Sequence, residues 1–248
     1  MLKTLRGFAV VLLVSANCAA QVYPRWFLSP VEIKCKSTAA GYARAYYNGA
    51  SSDSVAYLNA CKNITLAHYV KIKGGEAYWA TEAGVYWMGN DITEEIDSEY
   101  FREVVSSGHK IAKFANKSIT IVLAAADSCS LPSSLLKMDT CWLREPDWVE
   151  SVPQGKDYIY AEGVAPRYFY ESSSWESAEK RARFNLARSV NVKVQSIQKI
   201  EGRRGEDIRN EEITAEIRDI EVVYRWVDRK RGLYYVLVRM PAIGGKGE

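Results

Sequence analysis

Pro24-Arg25-Trp26-Phe27-Leu28-Ser29-Pro30 returns about 120 residues later as Pro146-Asp147-Trp148-Val149-Glu150-Ser151-Val152-Pro153. The segments downstream of each copy recur in the same order. A period of that length is too long for a solenoid and suits a duplicated domain. A chain of 248 residues has room for two.

The second copy is the easier to read outward from its Trp148 motif. Asp157 to Ala165 carries Tyr and Ile suited to a strand. Ser173 and Glu176 have the spacing of a capping box, so a helix begins there. Trp175, Ala178, Ala182 and Leu186 recur at steps of three and four and share one helical face, while Glu179, Lys180, Arg181, Arg183 and Arg188 decorate the others. From Val190 the period drops to two, through Val192, Val194 and Ser196, which predicts that the helix runs directly into a strand. Residues 200–212 are a solvated charged run. Glu221–Val227, a turn with Gly232, and Leu233–Met240 form a hairpin.

The first copy has the same order. Gly41–Tyr47 takes the place of the early strand, and Val55, Leu58, Cys61, Thr65 and Leu66 line a helix. Tyr69–Lys73 is the strand after it. Ile92–Ile96 matches Ile213–Ile217, and Ser118–Leu123 stands where Tyr234–Val238 stands. This copy adds an aromatic hairpin with Tyr78, Trp79, Tyr86 and Trp87, and Ser107–Lys110 later makes a turn. The expected fold class is α+β: two tandem related domains, each a helix packed on an antiparallel sheet in the order strand, helix, strand, hairpin. The boundaries are 1–20 for a leader, 21–126 and 146–242 for the domains, 127–145 for a linker and 243–248 for a tail.

Residues 1–20 read as a bacterial secretory signal. Lys3 and Arg6 precede an apolar run, Phe8–Val14, far below the ~18 residues that span a bilayer. Two processing routes fit: cleavage after Ala20, or a lipobox ending at Cys18, whose preceding residues Ser15 and Asn17 match the pattern poorly. Export permits disulfides among Cys35, Cys61, Cys129 and Cys141. A Cys129–Cys141 bridge would be local, leaving Cys35 to Cys61; the alternative is free, buried thiols.

Charge and chemistry narrow the function. A net charge of +3, from 33 basic and 30 acidic residues, is no argument for nucleic acid or for an anionic membrane. His68 and His109 lie far apart without a ligand pattern, so neither a metal site nor a nucleophilic triad is expected. Gly202-Arg-Arg-Gly205 lacks the setting of a phosphate loop. Two features suit binding: the patch Tyr78, Trp79, Tyr86 and Trp87, and the basic turn Arg229-Lys230-Arg231 with Arg225.

Pro146-x-Trp148, Tyr160-Ala-Glu-Gly163, the Ser174-Trp175 helix start, Ala178, Ala182-Arg183, Leu186-Ala187, Val190-x-Val-x-Val194 and Tyr234–Val238 together resemble the bacterial twenty-kilodalton (LPP-twenty) envelope lipoprotein family. Residues 24–126 look like a diverged second example. The resemblance implies a small α+β domain at the periplasm or outer membrane, in a family with members in flagellar accessory structures and members that are surface antigens. It carries no catalytic residues. The expectation is therefore a non-enzymatic exported protein acting through contacts with envelope proteins or itself, touching the membrane only by a lipid tether, if any, and needing no cofactor. The alternative is a periplasmic module whose aromatic patch holds a glycan or cell-wall fragment.

Overall fold

The structure is a computed structural model that describes residues 22–45, 51–81, 84–140, 144–200 and 213–242; for 76–81, 84–90, 140 and 193–200 it describes the backbone alone. The elements run β1 (Val22–Pro24), α1 (Arg25–Leu28), β2 (Thr38–Arg44), α2 (Ser52–His68), β3 (Tyr69–Thr81), β4 (Gly84–Ile96), α3 (Ser98–Ser107), β5 (His109–Ala115), β6 (Ile119–Ala125) and β7 (Met138–Thr140). They continue with α4 (Asp147–Glu150), β8 (Tyr158–Pro166), α5 (Glu171–Ile200), β9 (Ile213–Arg218), β10 (Glu221–Asp228) and β11 (Leu233–Pro241). The class is α+β, and every strand pairing is antiparallel.

Two sheets have the same design. In one the order is β2-β6-β5, in the other β8-β11-β10, so each half places its first strand beside its last. Each sheet carries the helix that comes after its first strand. The contact is close because both surfaces are small. A Cβ on Gly41 would lie 2.0 Å from the Ala60 nitrogen and 2.2 Å from the Ala56 oxygen, and one on Gly163 would lie 2.1 Å from the Ala178 oxygen and 2.2 Å from the Ala182 nitrogen. Each helix also satisfies carbonyls of the outer strand beneath it. Asn63 and Asn59 donate to the oxygens of Ala40 and Tyr42 at 2.8 and 2.7 Å. Asn185 and Arg181 do the same for Glu162 and Val164, at 2.8 and 2.7 Å. Strand edges are exposed hydrogen-bonding groups, and these side chains cover them.

The third sheet joins the halves. Its middle strand, β3, pairs with β4 on one side and β9 on the other. Ile96 and Ile217 both face Val70 in register, and Ile92 and Ile213 both face Gly74. The two Ile-x-x-x-Ile segments matched in the sequence thus flank one strand. The largest cluster of buried side chains draws on both halves, and two small ones, around Ile64 with Val104 and around Ala56 with Val122, lie within the first. Trp175 of α5 meets the rings of Tyr23, Phe27 and Tyr234 edge-on at 5.8, 5.2 and 4.9 Å. The repeated Pro-x-Trp motifs form one-turn helices capped by Pro24 and Pro146. Trp26 is buried and Trp148 half-buried.

Several expectations are corrected. Helix α5 does not yield to a strand at Val190. It continues to Ile200, because Val190 lies four residues after Leu186 and stays on the buried face, while Val192 turns outward. The helix begins at Glu171, before the expected capping box, and Ser174 instead accepts from the Tyr168 amide at 2.8 Å. Leu58 is exposed, and the sheet-facing side of α2 is Ala56, Ala60 and Ile64. In place of the expected turn at 107–110, α3, capped at its start by Asp97, ends and β5 begins at once.

The segment expected to act as a linker is tied down where it is described. Leu135 is buried, the amides of Arg25 and Trp26 donate to Lys137 and Leu135, and β7 pairs with β1. Cys35 is bonded to Cys129, across a sequence separation of 94, so neither expected bridge forms. Cys61 is a free thiol buried between α2 and α3, near the Val104 carbonyl. Cys141 and Cys18 lie outside the described residues, as do the leader and residues 201–212.

Candidate functional site

Where the halves meet, a cleft of about 580 Å³ is bounded by Trp26, Lys34, Lys36, Ile220 and Arg239. A second cleft, of about 500 Å³, includes Lys62, Thr93, Glu94 and Lys180. Asn63, Glu179 and Arg183 border both, so they form the wall between them.

That wall is a buried ionic network. Glu179 is 2% exposed. Its Oε1 accepts from Arg225 Nη2 at 2.5 Å and from the Tyr42 hydroxyl. Its Oε2 accepts from Asn63 Nδ2 at 3.4 Å and lies 3.7 Å from Arg183 Nη1. Arg183 grips Glu94 with two bonds, of 2.6 and 3.2 Å. Arg225 also donates to the Phe27 carbonyl at 2.7 Å and lies over the Phe27 ring, 4.5 Å from its centre. Its Nε is buried without a partner among the described residues. The chain of contacts therefore runs from β4 through α5 to β10 and α1, with β2 and α2 contributing Tyr42 and Asn63.

Protonation in the network is set by its charges. Burial holds the Tyr42 hydroxyl well above the usual phenol range, Arg225 draws it down, and Glu179 draws it up, so Tyr42 remains a donor. Burial opposes the charge on both arginines. Glu179, bonded to Arg225, outweighs it there, and Glu94 with Glu179 does so at Arg183, so both guanidiniums stay charged. Two carboxylates and two guanidiniums satisfy one another, a geometry suited to holding elements together.

The sequence does not expose this cluster. Its pattern sets Glu179 and Arg183 on solvent-facing sides of the helix and Arg225 beside a basic turn. The one local signal is the i, i+4 spacing of Glu179 and Arg183 on α5. Arg225 is buried instead, and Arg231 of the turn pairs with Asp228 and Glu145. The histidines are apart: His68 is exposed at the cleft rim, its ring 4.4 Å from that of Tyr100, and His109 opens β5. Among the described residues no three His, Cys, Asp or Glu side chains group as metal ligands.

The aromatic patch falls on the far half of the β3–β4 hairpin, where only the backbone is described. There Tyr78 is opposite Trp87 and Trp79 opposite Tyr86. β9 pairs with Tyr69–Gly74 of β3 and stops, so beyond Gly74 the hairpin is two-stranded among the described residues. Comparison with family models, curated proteins and solved structures found no match for this chain.

Proposed function

We propose that the protein is exported to the bacterial envelope and works there without covalent chemistry, through contacts with other envelope proteins or further copies of itself. The observation that carries this reading is the two-stranded arm of β3 and β4 beyond Gly74, bearing Tyr78, Trp79, Tyr86 and Trp87. An isolated two-stranded ribbon is marginally stable in water, and aromatic residues are enriched at interfaces. A partner that lays a strand or an apolar surface on this arm would supply what β9 supplies to its base. Export is supported by the leader expected at 1–20, and the Cys35–Cys129 bond is compatible with it, since disulfides persist in oxidising compartments.

A photo-crosslinking residue in place of Trp79 or Trp87, read in cells, tests the reading. The expected product is a covalent adduct with an envelope protein or with a second copy, lost when the crosslinker sits on Leu58 of α2. A chain that yields no adduct and is strictly monomeric by light scattering would overturn it. Tryptophan fluorescence that responds to cell-wall fragments, and ceases to respond in Trp79→Ala and Trp87→Ala, would assign the arm to a glycan instead.

A further inference from the structure

The loop between β8 and α5 puts three aromatic residues outside. Phe169 is 93% exposed, and Tyr168 and Tyr170 flank it at 40% and 41%. The Phe169 ring's only aromatic neighbour among the described residues is Tyr170, edge-on at 4.9 Å. The backbone that carries it is firmly placed. Arg167 donates its amide to the Gly232 carbonyl at 2.8 Å, and Ser174 caps the Tyr168 amide. Tyr170 is held by Arg44, which donates to its hydroxyl at 3.3 Å and lies 5.3 Å from the ring centre.

The surroundings are basic. Exposed cations at this end of the molecule are Arg44 at the close of β2, Lys117 in the β5–β6 turn, Arg167, and Arg229 with Lys230 in the β10–β11 turn. Of the acidic groups there, Glu171 accepts from Tyr23 and Ser118, Asp228 and Glu145 pair with Arg231, Asp53 pairs with Lys113 at 2.7 Å, and the exposed Asp147 lies 3.7 Å from Arg144. The bond from Tyr23 to Glu171 also brings the start of the described chain within a side chain's length of the loop.

We infer that the Tyr168-Phe169-Tyr170 loop is a wedge that seats this end of the protein on the surface of an anionic lipid bilayer. A phenyl ring between tyrosines suits the boundary of headgroups and acyl chains, where amphipathic rings concentrate. The cations around it complement anionic headgroups. The apolar tip is a single loop, too small for the roughly 800 Å² per partner that a stable protein interface buries. No helix among the described residues is long and apolar enough to cross a membrane, so the contact is peripheral. The inference rests on the proposed envelope location, and not on the arm.

The test uses residues 21–248, without the leader, whose basic and apolar residues would themselves bind vesicles, and without Cys18, which removes any lipid. It measures co-sedimentation with vesicles of phosphatidylethanolamine containing about 30% phosphatidylglycerol, and with phosphatidylcholine vesicles. The expected result is binding to the anionic vesicles, weakened on raising salt from about 50 mM to about 500 mM. Phe169→Ser and Arg167→Glu/Lys230→Glu should each cut the partition coefficient roughly tenfold, with unchanged circular dichroism and melting. Absence of binding to anionic vesicles, equal binding to phosphatidylcholine, or full binding by Phe169→Ser would overturn the inference. A chain that fails here yet still crosslinks through the arm leaves the protein-contact reading standing; one that binds vesicles and finds no neighbour does the reverse.

Discussion

Glu179 is fully surrounded, and its charge is tolerable only because Arg225 and Arg183 stand beside it. Replacing Arg225 with methionine keeps much of the volume over the Phe27 ring but leaves the carboxylate with its nearest cation gone. Removing one member of a buried pair costs about 3–5 kcal/mol, because the survivor stays desolvated. Urea unfolding of Arg225→Met should show a loss of that size. The double variant Glu179→Met/Arg225→Met should recover most of it, since it removes both charges together. Similar losses in the single and double variants would mean that packing of the arginine stem over Phe27, not its charge, is what counts.

At the scale of elements, the two helices sit on their sheets through glycine–alanine contacts that a single methyl would break. Gly41→Ala and Gly163→Ala each place a carbon against helix backbone, which cannot step aside as a flexible side chain could, and overpacking of this kind costs about 1–3 kcal/mol. Each should unfold at correspondingly lower urea. Gly155→Ala, whose added carbon meets nothing closer than 3.6 Å, should stay within about 0.5 kcal/mol of the parent. How much of each element the sequence shows depends on how local its cause is. The face Trp175, Ala178, Ala182, Leu186 is legible because a helix repeats its own period. The end of α5 is not, since Val190, Val192 and Val194 satisfy a period of two while Val190 also satisfies a helical step. On α2 periodicity finds the buried Cys61, Thr65 and Leu66 but admits Leu58 and misses Ala56 and Ala60, because Leu58 outranks them in hydrophobicity whereas closeness to Gly41 selects the smaller residues. The ionic wall is out of reach: Arg183 meets Glu94 at a separation of 89 residues and Arg225 meets Glu179 at 46, and no local pattern encodes either. Cys35 and Cys129 are invisible as a pair for the same reason.

On the scale of the whole molecule, the repeated topology and the shared interior pull in different directions. Strand order, helix placement and the covering of strand carbonyls recur in each half, so each half holds a complete design. Yet β9 has its ladder on β3, Trp175 packs against Tyr23 and Phe27, and Arg225 reaches the Phe27 carbonyl, so each half lends the other part of its interior. The second half expressed alone, residues 144–248, would lose the strand beside β9 and two of the rings around Trp175, and it should lack a cooperative thermal transition. The intact oxidised chain should unfold in one calorimetric transition whose van't Hoff and calorimetric enthalpies agree. The Cys35–Cys129 bond closes a loop that ends before the second half and stabilises the fold by restricting the unfolded chain. Closing a loop of that length contributes about 4–5 kcal/mol on the chain-entropy account, so Cys35→Ser/Cys129→Ser should shift the single transition downward without splitting it. Two separable transitions in the oxidised chain, or a cooperatively melting 144–248 fragment, would show that the shared β3 and the ionic wall are a docking contact between autonomous units. One transition in every intact form means that the two halves fold together, and a partner meeting the arm or the Tyr168–Tyr170 loop then meets one cooperative unit.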